Sequence, residues 1–238
     1  MTLIDEYSIK ARQVPALVAI APMVFAVYAL FPELQSAWGA LGGVLTTLGG
    51  PAALAYVARG YGKRLEPDLF KSWGGKPTTT MLRWSDDCIS TDTKRRYHKT
   101  LRAAGVVLPS ADDEANDPVA ADAKYESAGE WMLRKSRDTK KYPFVFTQNI
   151  NYGFARNLLG LRPLGLSAAA VCSLAQFSLA GWDLIQKSDV SVFLGISIAI
   201  SVAGTSFWLL AVRPGWVQSA AVAYSRALLE ICDHVDDP

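Results

Sequence analysis

Two histidines and three cysteines are spread over 238 residues, which leaves little material for metal or thiol chemistry. Cys232, Asp233, His234 and Asp236 match no usual zinc spacing, and no Gly-x-Ser-x-Gly elbow or Cys/His couple is present. The expectation is a chain that is no enzyme and holds no metal or cofactor. Cys88, Cys172 and Cys232 fall in segments read below as cytoplasmic or membrane-embedded, where thiols stay reduced, so no disulfide is expected.

The most informative absence is charge. Four stretches hold no Asp, Glu, Lys or Arg: Val14 to Phe31, Trp38 to Ala58, Pro163 to Trp182 and Val190 to Val212. Each is about 20 residues, the helical length that crosses a bilayer core while satisfying its own backbone. Ion-coupled transporters and voltage sensors carry ionisable groups at that depth, and their lack here argues against both. No small-residue cleavage pattern follows the first apolar stretch, which therefore reads as a retained span and not a signal peptide.

The predicted fold class is an all-α membrane protein, with four transmembrane helices as two hairpins flanking a mainly helical cytoplasmic segment. Its divisions are a cytoplasmic N-terminus over 1–13, hairpin one over 14–58, the cytoplasmic region over 59–162, hairpin two over 163–212 and a C-terminal helix over 213–238. Orientation follows from the basic residues that stay on the cytoplasmic side of spans. Lys10 and Arg12 precede the first stretch, Arg59, Lys63 and Arg64 follow the second, Arg156 and Arg162 precede the third, and Arg213 follows the fourth. The first hairpin loop, Pro32 to Ala37, holds only Glu33, and the loop Asp183 to Asp189 holds one lysine. Both termini and the middle segment are thus expected in the cytoplasm, and the address is a bacterial inner membrane.

Within the spans, Pro22 interrupts the first and Gly39, Gly42, Gly43, Gly49, Gly50 and Pro51 crowd the second. Such helices need protein neighbours to satisfy freed carbonyls and to exploit close approach, and Gly39 and Gly43 form a GxxxG spacing. The fourth stretch carries Gly195, Ala199 and Ala203 on one side, with Ser197, Ser201 and Thr205 roughly opposite. The hydroxyl row is read as packing inside a bundle or as the lining of a polar path through an oligomer. A homo-oligomer in the bilayer is expected.

The region from Arg59 to Arg162 is basic, with 19 Lys and Arg against 13 Asp and Glu. Thr91 to Ala104 reads as a helix capped by Ser90 or Thr91, and Asp117-Pro118 as the start of another. Val106 to Asn116 reads as a loop with an acidic cluster. Lys94, Arg95, Arg96, His98, Lys99 and Arg102 form a basic cluster suited to lipid headgroups or to an anionic ligand. Arg134, Lys135, Arg137, Lys140 and Lys141 form a second. An anionic small-molecule signal or a cytoplasmic protein is the expected partner, and nucleic acid is not. Gly74-Gly75-Lys76-Pro77-Thr78-Thr79 has glycines and a lysine but breaks the phosphate-loop pattern, because proline follows the lysine. A Gly-Gly turn leading into an extended Lys-Pro-Thr piece is the better account. Phe146, Ile150, Phe154 and Leu158 make a stripe expected to lie in the membrane interface, and Val217, Ala221, Tyr224, Leu228 and Ile231 another on the tail helix.

Lys63-Arg64-Leu65-Glu66-Pro67, Trp73 to Thr79, and Asn151-Tyr152-Gly153-Phe154 with Arg156-Asn157-Leu158 resemble segments of a group of small bacterial multi-pass membrane proteins. In layout the chain is also similar to membrane effectors of phage-defence systems. That resemblance implies a toxic, oligomerising protein that is silent until a signal reaches its cytoplasmic region and then permeabilises the membrane. The alternatives are a scaffold that recruits a cytoplasmic partner, and a small uncoupled channel or transporter.

Overall fold

A computed structural model describes residues 6–31, 50–186 and 189–234, and among them every regular element is helical, with no strand. The elements are α1 Glu6–Leu30, α2 Gly50–Ser72, α3 Pro77–Leu82, α4 Thr91–Ala103, α5 Ala111–Asn116, α6 Pro118–Lys135, α7 Pro143–Ile185, α8 Val192–Leu210 and α9 Pro214–Leu229, with a tight turn of helix at Glu230–Asp233. Three of them, α1, α7 and α8, are long and apolar enough to cross a membrane. The stretch Trp38 to Ala58 lies mostly outside the described residues, as do Gly39, Gly43 and Glu33. Its described end, from Gly50 onward, is the start of α2.

The chain divides into two compact units. The apolar unit comprises Met1–Leu65 and Gly153–Val217, and the polar unit comprises Glu66–Tyr152 and Gln218–Pro238. Residues 59–65 and 153–162 belong with the apolar helices, and the tail from Gln218 joins the polar unit.

On α1 the usual order of side chains is inverted. Its buried face is Pro15, Ala16, Ala19, Pro22 and Ala26, a row of small or ring side chains at helical spacing. Leu17, Met23, Val24 and Phe25 face outward. In a lipid surround there is no hydrophobic drive to bury large side chains, and helices associate by close contact at small ones. Pro22 packs against α8 at Gly204, where an added Cβ would lie 3.1 Å from the proline ring. Gly165 on α7 receives the fully buried indole of Trp208, and a Cβ there would sit 2.3 Å from it. Gly160 meets the backbone of Tyr61 and Gly62 on α2 equally closely, at 2.5 to 2.8 Å from an added Cβ.

Near its start α1 widens into a π turn over Ile9–Gln13, where the Val14 N–H reaches back to the Ile9 carbonyl. Pro15 has no N–H to offer the Ala11 carbonyl one turn earlier. The Asn157 side chain supplies the missing donor, 2.7 Å from that carbonyl oxygen.

The polar unit has a separate core built from Tyr97, Leu101, Tyr125, Met132, Leu228 and Ile231 with their neighbours. Ser90 caps α4 by accepting from the Thr93 N–H, and Asp117 caps α6 ahead of Pro118. Those two helices match the sequence reading. The acidic stretch expected as a loop instead contains α5, opened by a reciprocal capping box between Ser110 and Asp113. The tail stripe packs into this core through Leu228 and Ile231. The Phe146 to Leu158 stripe lies within the uninterrupted α7, whose Ile150 and Leu158 are buried in protein.

Candidate functional site

The turn between α2 and α3 is built on Gly74 and Gly75, whose φ values of 76° and 140° are open mainly to glycine. The Gly75 N–H bonds to the Phe70 carbonyl and closes the end of α2. Arg83 locks the outer side, donating to the Gly74 carbonyl at 2.9 Å and to both oxygens of Asp122 at 2.8 and 2.7 Å. The bond to Asp122 holds the Arg83 pKa above its ordinary value, with burial opposing. Lys76 occupies the N-cap position of α3 without a side-chain capping bond, and Pro77 stands in the first turn. Of the Lys-Pro-Thr piece expected to be extended, Lys76 is extended, whereas Pro77 and Thr78 already belong to α3. Its proline occupies a position where no N–H is needed.

This turn walls one side of a cleft of about 190 Å³ in the polar unit. Lys76, Thr78 and Thr79 come from the turn and α3, Glu126, Gly129 and Glu130 from α6, and Ala221, Tyr224 and Ser225 from α9. Phe70, Pro77, Leu133, Tyr152 and Leu228 complete it. Lys76 pairs with Glu126 at 3.1 Å, and the Thr78 hydroxyl donates to that of Ser225 at 2.9 Å. The Tyr152 and Tyr224 rings lie nearly parallel, 8° apart in plane with centroids 6.1 Å apart. Apolar walls with a few convergent polar groups are the usual constitution of a small-molecule site. Gly74 to Thr79 and Tyr152 were both conspicuous in the sequence, but their meeting with Tyr224 was not.

The basic cluster on α4 does not form one face. Lys94 and His98 are buried and turned inward. The Lys94 ammonium donates to the carbonyls of Arg83 and Asp86, and His98 Nε2 sits 2.9 Å from the Leu82 carbonyl oxygen. Burial pushes the His98 pKa down and the Leu82 carbonyl pulls it up, while Arg102 and Lys94 push it further down. Arg95, Arg96, Lys99 and Arg102 face outward. Arg96 is engaged with Asp233 at 2.7 Å, Arg95 with Asp92 at 3.3 Å, and Arg102 with the Pro109 carbonyl at 3.0 Å. Of the second cluster, Arg134 approaches Glu130 at 3.9 Å and Lys135 lies over the Trp131 ring.

A buried carboxylate that sequence reading left in a loop organises this unit. Glu114 accepts from the Trp84 and Ser85 N–H groups, the Ser85 hydroxyl and the Tyr125 hydroxyl, at 2.7 to 3.0 Å. Burial pushes its pKa up, and these four donors together hold it below the ordinary value. Its acceptor positions are filled by protein, so its work is to fix the loop after α3.

In the apolar unit, Ser197 and Ser201 are fully buried and Thr205 is half-buried. Ser197 accepts from the Gln176 amide of α7 at 2.8 Å, and the Thr205 hydroxyl donates back to the Ser201 carbonyl at 2.9 Å. The row thus meets protein within its own unit. Gln176, the one primary amide in the third apolar stretch, was the available signal for this bond. Among the described residues, no group of three His, Cys, Asp or Glu is placed to hold a metal.

Fold and site together define a helical protein with apolar helices of membrane-crossing length and a separate polar unit bearing a cleft. No protein-family model, curated protein or solved structure matches the chain.

Proposed function

We propose that this chain is a multi-pass protein of a bacterial inner membrane, four spans in two hairpins, which holds its polar helical unit in the cytoplasm to receive a partner or small molecule. The outward display of large apolar side chains carries the reading: Val171, Leu174 and Phe177 of α7 and Ile196, Val202 and Leu210 of α8 are exposed, while the buried face of α1 is built of alanine and proline. In water such a surface would aggregate; in lipid it is solvated. The basic flanks of the apolar stretches support a cytoplasmic polar unit. The inward Ser197 and Ser201 favour an anchoring role for these helices over a hydroxyl-lined pore.

Cys88, exposed in the polar unit, gives the test. A membrane-impermeant maleimide should label it in inverted vesicles and leave it unlabelled in intact spheroplasts. Labelling in spheroplasts would overturn the orientation. Recovery of the whole chain in the soluble fraction without detergent would overturn the membrane assignment.

A second reading, a phage-defence effector whose spans rearrange to permeabilise the membrane, is favoured by one observation. The Gln176 amide oxygen and the Ser201 hydroxyl are buried with no partner among the described residues. Unsatisfied polar groups in an apolar unit favour an alternative packing that pairs them. Induced expression with a membrane-potential dye tests it: cells that keep their potential and grow normally, with and without phage, would exclude it.

A further inference from the structure

We propose that the cleft of the polar unit binds a small single-ring aromatic molecule that is neutral or positively charged. The inference rests on the polar unit being the receiving part of the protein, and it adds the class of ligand. Size is the first argument. The cleft offers about 190 Å³, whereas a cavity of about 150 Å³ lined by apolar side chains takes up benzene. One ring with a short substituent fits; a docked helix or a nucleotide does not.

Wall chemistry is the second. Phe70, Pro77, Leu133 and Leu228 supply apolar surface, and the near-parallel Tyr152 and Tyr224 add aromatic surface. Aromatic rings contact one another favourably in offset or edge arrangements, beyond the area they bury. Thr79 adds a hydroxyl to the same wall.

Charge decides the sign. The lining carries two carboxylates, Glu126 and Glu130, against one ammonium, Lys76, which Glu126 already holds at 3.1 Å. Glu130 has Arg134 only at 3.9 Å. An anionic ring would meet net like charge, while an amine or a hydroxyl finds acceptors. The anionic messenger expected from the basic clusters is therefore the wrong class for this cleft.

Gly129 makes the proposal testable. It lines the cleft, and an added Cβ would meet only the Thr78 methyl, at 3.7 Å. A leucine there fits the helix and fills the space. The full chain in nanodiscs is titrated with phenol, phenethylamine and benzoate, with binding read by ligand-observed NMR. Phenol and phenethylamine should bind saturably, with benzoate about tenfold weaker. Gly129→Leu, and independently Leu133→Trp at the exposed lip, should weaken both binders by about tenfold while the circular-dichroism melt is kept. Gly129→Ala should still bind. Equal binding by the filled variants, benzoate binding as well as phenethylamine, or no saturable binding of any probe would overturn the inference. Cys88 labelling is independent of all three probes, so a failed ligand and a failed membrane assignment are told apart.

Discussion

The side-chain amide of Asn157 takes the place of a main-chain N–H that Pro15 lacks, donating to the Ala11 carbonyl 2.7 Å away. The same Asn157 accepts through Oδ1 from the buried Arg156 guanidinium at 3.1 and 3.2 Å. One side chain thus satisfies a carbonyl orphaned by proline and a buried cation. Asn157→Ala should destabilise the chain by about 1–3 kcal/mol, the usual cost of an unsatisfied buried polar group. Pro15→Ala restores a backbone donor, so the double variant should lose less than Asn157→Ala alone. Thermal unfolding in detergent measures both, and strict additivity would exclude the relationship.

Close helix contacts in the apolar unit make three glycines unequal. Gly160→Ala drives a Cβ into the Tyr61–Gly62 backbone and Gly165→Ala into the Trp208 ring, and neither neighbour is a flexible chain end. Each should lower stability by about 1–3 kcal/mol through overpacking. At Gly195 an added Cβ meets nothing within 4 Å, so Gly195→Ala should be neutral or slightly stabilising. Detergent-resistant folded fraction on heating ranks the three.

The Gln176–Ser197 bond predicts an asymmetry. Ser197→Ala strands the amide in an apolar surround and should destabilise by about 0.6–1.7 kcal/mol, the range for interhelical hydrogen bonds in membranes. Gln176→Leu removes the amide together with its unpartnered oxygen and should be close to neutral. Equal losses from the two would show that the bond itself, and not the stranded group, sets the energy.

Acid should loosen the polar unit in two steps. His98 has a folded pKa below its ordinary 6.5, so its contribution is full above that value and is lost as pH falls through the lowered one. Glu114 is likewise depressed below 4.5, and its contribution, present above that value, is lost as pH falls further. His98→Gln should flatten the melting temperature below about pH 6.5, where the unfolded chain takes up a proton that the buried ring resists. Glu114→Gln should lower stability at pH 7 by about 1–3 kcal/mol and flatten the more acidic part. Melting curves across pH separate the two.

Charge-free stretches and helix caps were legible in the sequence because each depends on local chemistry. A run without Asp, Glu, Lys or Arg declares its preferred solvent, and Ser90, Asp117 and Pro118 act within one helical turn of themselves. α5 was missed because its acidic residues read as a solvated loop, although Ser110 and Asp113 hold the spacing of a capping box. Which basic residues of α4 face inward was decided by tertiary structure, since Lys94 and His98 become buried only when the Arg83, Asp86 and Leu82 carbonyls are brought to meet them. The cleft was decided the same way: Lys76, Glu126, Tyr152 and Tyr224 lie far apart along the chain, and only the folding of α6 and α9 beside α3 sets them around one space. Local sequence selects helices and their solvent, whereas a site made of distant side chains exists only after the backbone has placed them.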